Sequence, residues 1–203
     1  AGSDIVFGNL ETSITPGRHI LDNEMVFRSD IETAQTLAEA NFSIVSLANN
    51  HTPNFGETGL LNTFKYLDQV GIEYVGAGKN STEANQAKYI EVNALTFAFL
   101  AYNDNDVVPP GYEAGDNRAG TAFINIKKMQ TAITEAKQNA DFVIISMHSG
   151  YEYQPEPNDS QIEFAHAAID AGADLIIGHH PHVIQTAEKY NDKWIFYSLG
   201  NFI

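Results

Sequence analysis

Two hydrophobic periods alternate along this chain. Short apolar runs at Ile5-Val6-Phe7, Ile44-Val45-Ser46-Leu47, Val143-Ile144-Ile145 and Leu175-Ile176-Ile177 read as buried strands. Leu60, Leu61, Phe64 and Leu67 recur instead at helical spacing. The pattern predicts strands over 4–10, 43–47, 72–75, 88–92, 96–102, 141–147, 174–177, 183–189 and 194–199. It predicts helices over 32–40, 57–70, 126–138 and 159–171. Hairpins are expected around Asn93-Ala94 and Asn191-Asp192, and a turn at Gly76-Ala77-Gly78. Residues 103–120 are polar and carry Pro109-Pro110-Gly111, which predicts a long loop of the kind that often serves function. Segments 37–51, 136–148 and 168–182 share one order: helix end, small residues, apolar strand, then Asn or His. That order predicts an α/β protein whose successive units feed one buried sheet.

The chemical signal lies just past the carboxyl end of each buried strand. The first strand leads into Gly8-Asn9-Leu10-Glu11 and the second into Ala48-Asn49-Asn50-His51. The later two lead into His148-Ser149-Gly150 and Gly178-His179-His180-Pro181-His182. Open α/β sheets bind ligands outside the carboxyl ends of their strands, and five of the seven histidines fall at such ends. In an extended segment His180 and His182 would point the same way, with Pro181 stiffening the link and His179 facing away in a supporting role. Together with His148, Asn50 and Glu11 they form a nitrogen and oxygen donor set suited to Mn, Fe, Zn or Mg, as one or two ions. Other roles stand beside this one. Asn49 and Asn50 could hold a turn or cap, and Glu11 could be the first-turn acid of a helix. His166 reads as a hydrogen-bonded structural residue and His19 as a loop residue. Arg28 and Arg118 read as solvated surface charges that could also grip an anion.

Composition narrows the partners. With 11 basic and 26 acidic residues among 203, the net charge is −15, which opposes duplex DNA and anionic membrane surfaces as partners. A hydrophobic share of 43% is enough for a packed core and too rich for disorder. The chain has no cysteine, which removes disulfides, thiolate metal sites and thiol nucleophiles. No apolar run reaches the length of a membrane span and no secretory leader opens the chain. The natural protein is expected to extend further at both ends.

At these strand ends the chain resembles the bacterial capsule-synthesis (CapA, PGA_cap) family. The resemblance is carried by Gly8-Asn9-Leu10-Glu11, by Ser46-Leu47-Ala48-Asn49-Asn50-His51 with Gly56, and by Gly76-Ala77-Gly78. It continues through His148-Ser149-Gly150-Tyr151-Glu152-Tyr153, Ala171 to His182, and Ser198-Leu199-Gly200-Asn201-Phe202. It covers nearly the whole chain, in order, as one domain over 1–203. It implies a calcineurin-like metallophosphoesterase fold, two sheets sandwiched between helices in four αββα layers. It also implies a part in making or anchoring poly-γ-glutamate capsule at the cell surface, with a membrane-bound synthesis complex as partner and anchoring through a segment outside this chain. By match, Asn50, His148, His180 and His182 are metal ligands, Asn9 or Glu11 falls where a bridging carboxylate is expected, and His51 stabilises the transition state or acts as acid. The chain departs from the family at Asn54, where Asp is usual. Residues 1–203 are also expected to lack the family's first strand, which ends in Gly-Asp, and a C-terminal tail.

These readings predict a metal-dependent hydrolase acting on a phosphoester or an anionic polymer, with His51 and Glu152 as catalytic or substrate-contacting groups. The alternatives are an accessory protein that binds or anchors the polymer without cleaving it, and an α/β domain whose motifs are vestigial.

Overall fold

The structure is a computed structural model that describes residues 2–18, 20 and 24–202; His19 lies outside them. In chain order its first elements are β1 (Phe7–Asn9), β2 (Ser13–Ile14), β3 (Arg28–Ser29), α1 (Glu32–Glu39), β4 (Ile44–Ser46), α2 (Gly56–Val70), β5 (Glu73–Val75), β6 (Ala77–Gly78) and α3 (Ser81–Ala84). Next come β7 (Lys88–Val92), β8 (Leu95–Asn103), β9 (Gly120–Thr121), α4 (Ile126–Ala136), β10 (Phe142–His148), α5 (Asp159–Asp170), β11 (Leu175–His179), β12 (Ala187–Tyr190) and β13 (Lys193–Phe196). The local signals are carried through. Asn158 and Gln161 close a capping box at the start of α5, and Gly71 ends α2 in the left-handed conformation. Both hairpins turn on two left-handed residues, Asn93-Ala94 and Asn191-Asp192, the turn geometry that matches strand twist.

The strands form two main sheets, and this corrects the expectation of one sheet. A three-stranded sheet runs β1-β4-β5, all parallel. A six-stranded sheet runs β12-β13-β11-β10-β8-β7, parallel at its centre with antiparallel edges β7 and β12. The unit ending in β4 feeds the small sheet, and those ending in β10 and β11 feed the large one.

Three apolar layers hold the assembly together. Ala34 of α1 and Leu60, Phe64 and Leu67 of α2 cover the outer face of the small sheet. Met129 and Ile133 of α4, with Phe164, Ala165 and Ala168 of α5, cover the outer face of the large one. Between the sheets lie Ile44, Ala48, Val75, Phe99, Ala101 and Ile144. The order is helix, sheet, sheet, helix, as the resemblance implies. The carboxyl ends of β1, β4, β8, β10 and β11 lie at one rim of this sandwich, where side chains from different strands bond to one another.

A second correction concerns 183–189. Only Ala187–Tyr190 forms a ladder with β13, while Ile184 makes an isolated bridge to Leu199. The long loop 103–120 is ordered by a 3₁₀ turn at Pro110–Tyr112 and by a bridge from Glu113 to Thr121. No helix among the described residues is long and apolar enough to cross a membrane.

Candidate metal centre

Asn49 ties the first two strand ends together. Fully buried, it donates from Nδ2 to Asn9 Oδ1 and to the Leu10 carbonyl, both at 3.0 Å. Its Oδ1 accepts from the backbone of His51 at 3.0 Å and of Thr52 at 2.8 Å. That settles Asn49 as a turn-holding residue. Its neighbour Asn50 is free to turn the other way, and its Oδ1 lies 2.8 Å from His148 Nε2.

Glu11 enters from the end of β1. Asn9 Nδ2 donates to its Oε2 at 3.0 Å, so Asn9 orients the carboxylate rather than joining it. The other oxygen, Oε1, is buried with no hydrogen-bond partner among the described residues, 3.7 Å from His148 Nε2 and 4.0 Å from His182 Nε2. Burial pushes the Glu11 carboxyl up to about 7, with Glu152 adding to the rise and His182 and Asn9 opposing it.

The histidines converge, by a route other than the expected one. β11 ends at His179, and His180 and His182 then take positive φ, 101° and 59°. An extended His-Pro-His is therefore corrected to a bent one, whose bends cost strain that the surroundings must hold in place. Tyr153 N–H, donating to the Pro181 carbonyl at 2.8 Å, is one such hold, and it carries Glu152 to the same place. Gly178 is another requirement, because a Cβ there would collide with the Tyr197 carbonyl. The His180 ring centroid lies 4.8 Å from that of His148 and 6.1 Å from that of His182. Donor atoms of Glu11, His148 and His180 form one compact group, and those of Glu152, His180 and His182 a second, each within 4.8 Å. His180 belongs to both.

Burial keeps His148, His179 and His180 neutral. His148 is held well below the ordinary histidine range by desolvation, then by the neighbouring histidines. Desolvation lowers His180 and His179 to about 4. Neutral imidazoles beside a carboxylate with an unpartnered oxygen are the state in which a divalent cation binds. The donor set therefore fits a divalent cation. Glu152 is exposed and completes the outer group.

His51 sits at the edge with its orientation fixed. Asn54 Oδ1 accepts from Phe27 N–H at 2.8 Å and lies 2.8 Å from His51 Nδ1. Nδ1 therefore carries the proton and Nε2 is left open. Phe27 stacks on the ring at 3.9 Å. Burial lowers the His51 pKa despite the bond that Nδ1 donates to Asn54. At the usual Asp position, Asn54 thus orients the ring without adding charge.

Two residues escaped the sequence reading. Asn201 Oδ1 lies 2.8 Å from His182 Nδ1, which turns Nε2 towards Glu11. Asp104 accepts from Ser149 Oγ at 2.6 Å and stands near enough to His180 for its charge to be felt. Asp104 had only its position opening the polar loop as a signal, whereas Asn201 lies in the Ser198–Phe202 run that carries the resemblance but was given no role there. The remaining candidates fall away from the cluster. His166 pairs with Glu188 at 3.0 Å, the structural role expected of it. Arg28 binds the Thr15 carbonyl and Asp30, and Arg118 binds the Glu113 carbonyl.

The whole chain, residues 1–203, matches the family described as bacterial capsule synthesis protein PGA_cap. The chain belongs to that family. It is 38% identical over 204 residues to the PGA biosynthesis protein CapA of Bacillus subtilis (strain 168), covering 99% of this chain and 53% of that one. It is 36% identical over 209 residues to the capsule biosynthesis protein CapA of Bacillus anthracis, covering 99% and 50%. This PGA_cap chain thus spans about half the length of the curated relatives it matches. Among solved structures, it is similar to a Staphylococcus aureus protein described as a 5′-nucleotidase, crystallised with alpha-ketoglutarate. There the TM-score is 0.55 at 20% identity, covering 83% of this chain and 35% of that one. That likeness shows the fold alone, a mixed α/β arrangement of sheets and helices.

Proposed function

We propose that this chain is the metal-dependent hydrolase domain of a poly-γ-glutamate capsule biosynthesis protein, acting on a phosphoester. One observation carries the reading: Glu11, Asn50, His148, His180 and His182, from separate strand ends and loops, bring donor atoms together at one rim of the fold. A bound divalent cation supplies Lewis acidity and lowers the pKa of a coordinated water. Glu11, Asn50, His148 and His180 would hold one ion, and Glu152 with His182 stands on its outer side, where the pair would either complete that ion's ligands or begin a second site. Asn9 and Asn201 keep Glu11 and His182 aimed. His51, neutral and protonated at Nδ1, presents Nε2 to accept a proton, after which the same nitrogen can donate it or stabilise developing charge. Charge supports metal dependence as well. The chain carries −15, and Arg28 and Arg118 are engaged by their own surroundings. An anionic substrate therefore needs cations to approach this rim.

The test uses the purified chain with Mn²⁺, Zn²⁺, Fe²⁺ or Mg²⁺ and bis(p-nitrophenyl) phosphate. Turnover is expected with at least one ion, with loss of both ion binding and turnover in His180→Ala. No turnover with any of them, or an unchanged His180→Ala, refutes the proposal.

A further inference from the structure

We infer that ordered water bound between the two sheets anchors the His148 imidazole through Nδ1, and that Asn103 is the residue that positions this water. The faces of the strands that meet between the sheets grade from apolar to polar towards the cluster. In register across β8, β10 and β11 the rows run Phe99, Ile144, Leu175, then Ala101, Ser146, Ile177, then Asn103, His148, His179. Across the gap, β1 and β4 run Phe7, Ile44, then Asn9, Ser46. The rows do meet, since Phe7 stacks on Phe99 at 5.7 Å and lies 6.2 Å from the His179 ring.

The polar end of this layer is unpaired by protein. Ser46 Oγ, both side-chain atoms of Asn103, Ser146 Oγ, His148 Nδ1 and His179 Nε2 are buried and bond to no group of the described residues. Ser46, Asn103, Ser146 and His148 are at most 1% exposed. Asn103 and His148 are lateral neighbours, as are His148 and His179, yet none bonds to the next through its side chain. So many buried polar groups without partners would cost on the order of a domain's whole net stability. Water fits these groups and an ion does not. An amide, two hydroxyls and two imidazoles are neutral, so a cation here would have no counter-charge, while water both donates and accepts. Tyr102 OH is also unpartnered, and it lies on the opposite face of β8, among the residues packed under α4 and α5.

The consequence reaches the cluster. His148 turns Nε2 to Asn50 and Glu11. With a cation on Nε2, the ring proton sits on Nδ1 and needs an acceptor, which is how a supporting group fixes ring orientation and basicity. In its effect on affinity the inference rests on the cation reading of the cluster, whereas the solvent site itself stands on packing.

A high-resolution crystal structure of the wild-type chain should show ordered solvent within hydrogen-bond distance of both His148 Nδ1 and the Asn103 side chain; a dry layer overturns the inference. Calorimetric titration with Mn²⁺ provides the second arm. Asn103→Leu, which fills the layer with apolar atoms, should bind Mn²⁺ about 10–100-fold more weakly and melt at a lower temperature without metal, while its circular dichroism at room temperature stays that of the folded chain. Asn103→Ser leaves room for solvent and should stay within about 5-fold of wild type. Unchanged affinity in the Leu variant, or equal losses in both, overturns the inference. Should wild type bind no Mn²⁺, the cation reading fails and the solvent density alone decides.

Discussion

Replacing Glu11 by Gln should strengthen the metal-free fold while weakening the cluster's hold on cations. On folding, burial raises the Glu11 carboxyl from 4.5 to about 7. An acid raised in this way leaves stability intact below its unfolded value and costs stability as pH climbs through its folded one. At about 1.4 kcal/mol per pH unit the full cost is about 3 kcal/mol above pH 7. The side chain keeps 19% exposure, so screening trims this to about 2–3 kcal/mol. Gln carries no charge to desolvate and keeps an oxygen for Asn9. In chelator at about pH 8, Glu11→Gln should therefore melt roughly 5–10 °C above wild type, and the gap should close as pH falls towards 4.5. Mn²⁺ titration of the same protein should show markedly weaker binding. In wild type the affinity should fall about tenfold per pH unit below 7, because the cation must displace the Glu11 proton. Equal or lower stability of the variant at about pH 8, or wild-type Mn²⁺ affinity in it, would refute the reasoning.

The geometry dictates three more outcomes. Asn54→Ala should lower turnover about 10²-fold with Mn²⁺ affinity within about 3-fold of wild type, since it releases His51 Nδ1 and removes only a bond to the Asn50 backbone carbonyl, not to the Asn50 side-chain donor; a parallel loss of affinity in calorimetry would contradict this. Gly178→Ala should yield little folded protein by circular dichroism, because the added Cβ meets the Tyr197 backbone rather than a side chain that can move. Asn158→Ala removes the capping box of α5 and should cost about 1 kcal/mol in urea unfolding, leaving ion binding as it was.

The expectations that held were those resting on neighbours in the chain. Residues 57–70 form α2 because Leu60, Phe64 and Leu67 share a face of one helix, and that periodicity is written locally. β4, β10 and β11 were readable because an apolar run bounded by polar residues has few other uses. The donor types were readable as well, since Asn, Glu and His stand where strands end. The choice among alternatives for Asn49 was not, because its Nδ2 is satisfied by Asn9 and Leu10 at the end of another strand.

Sequence alone therefore determined which elements form and which chemistry sits at their ends, since both depend on residues a few positions apart. Tertiary structure decided what is long-range. It split the strands between two sheets, because each strand's partner is selected by burial of both its faces. It bent His180 and His182 into left-handed conformations that L residues avoid unless surrounding contacts impose them. It also brought Asn50 to His148, 98 positions away, and buried Glu11 beside them, because only packing sets which strand ends share a rim.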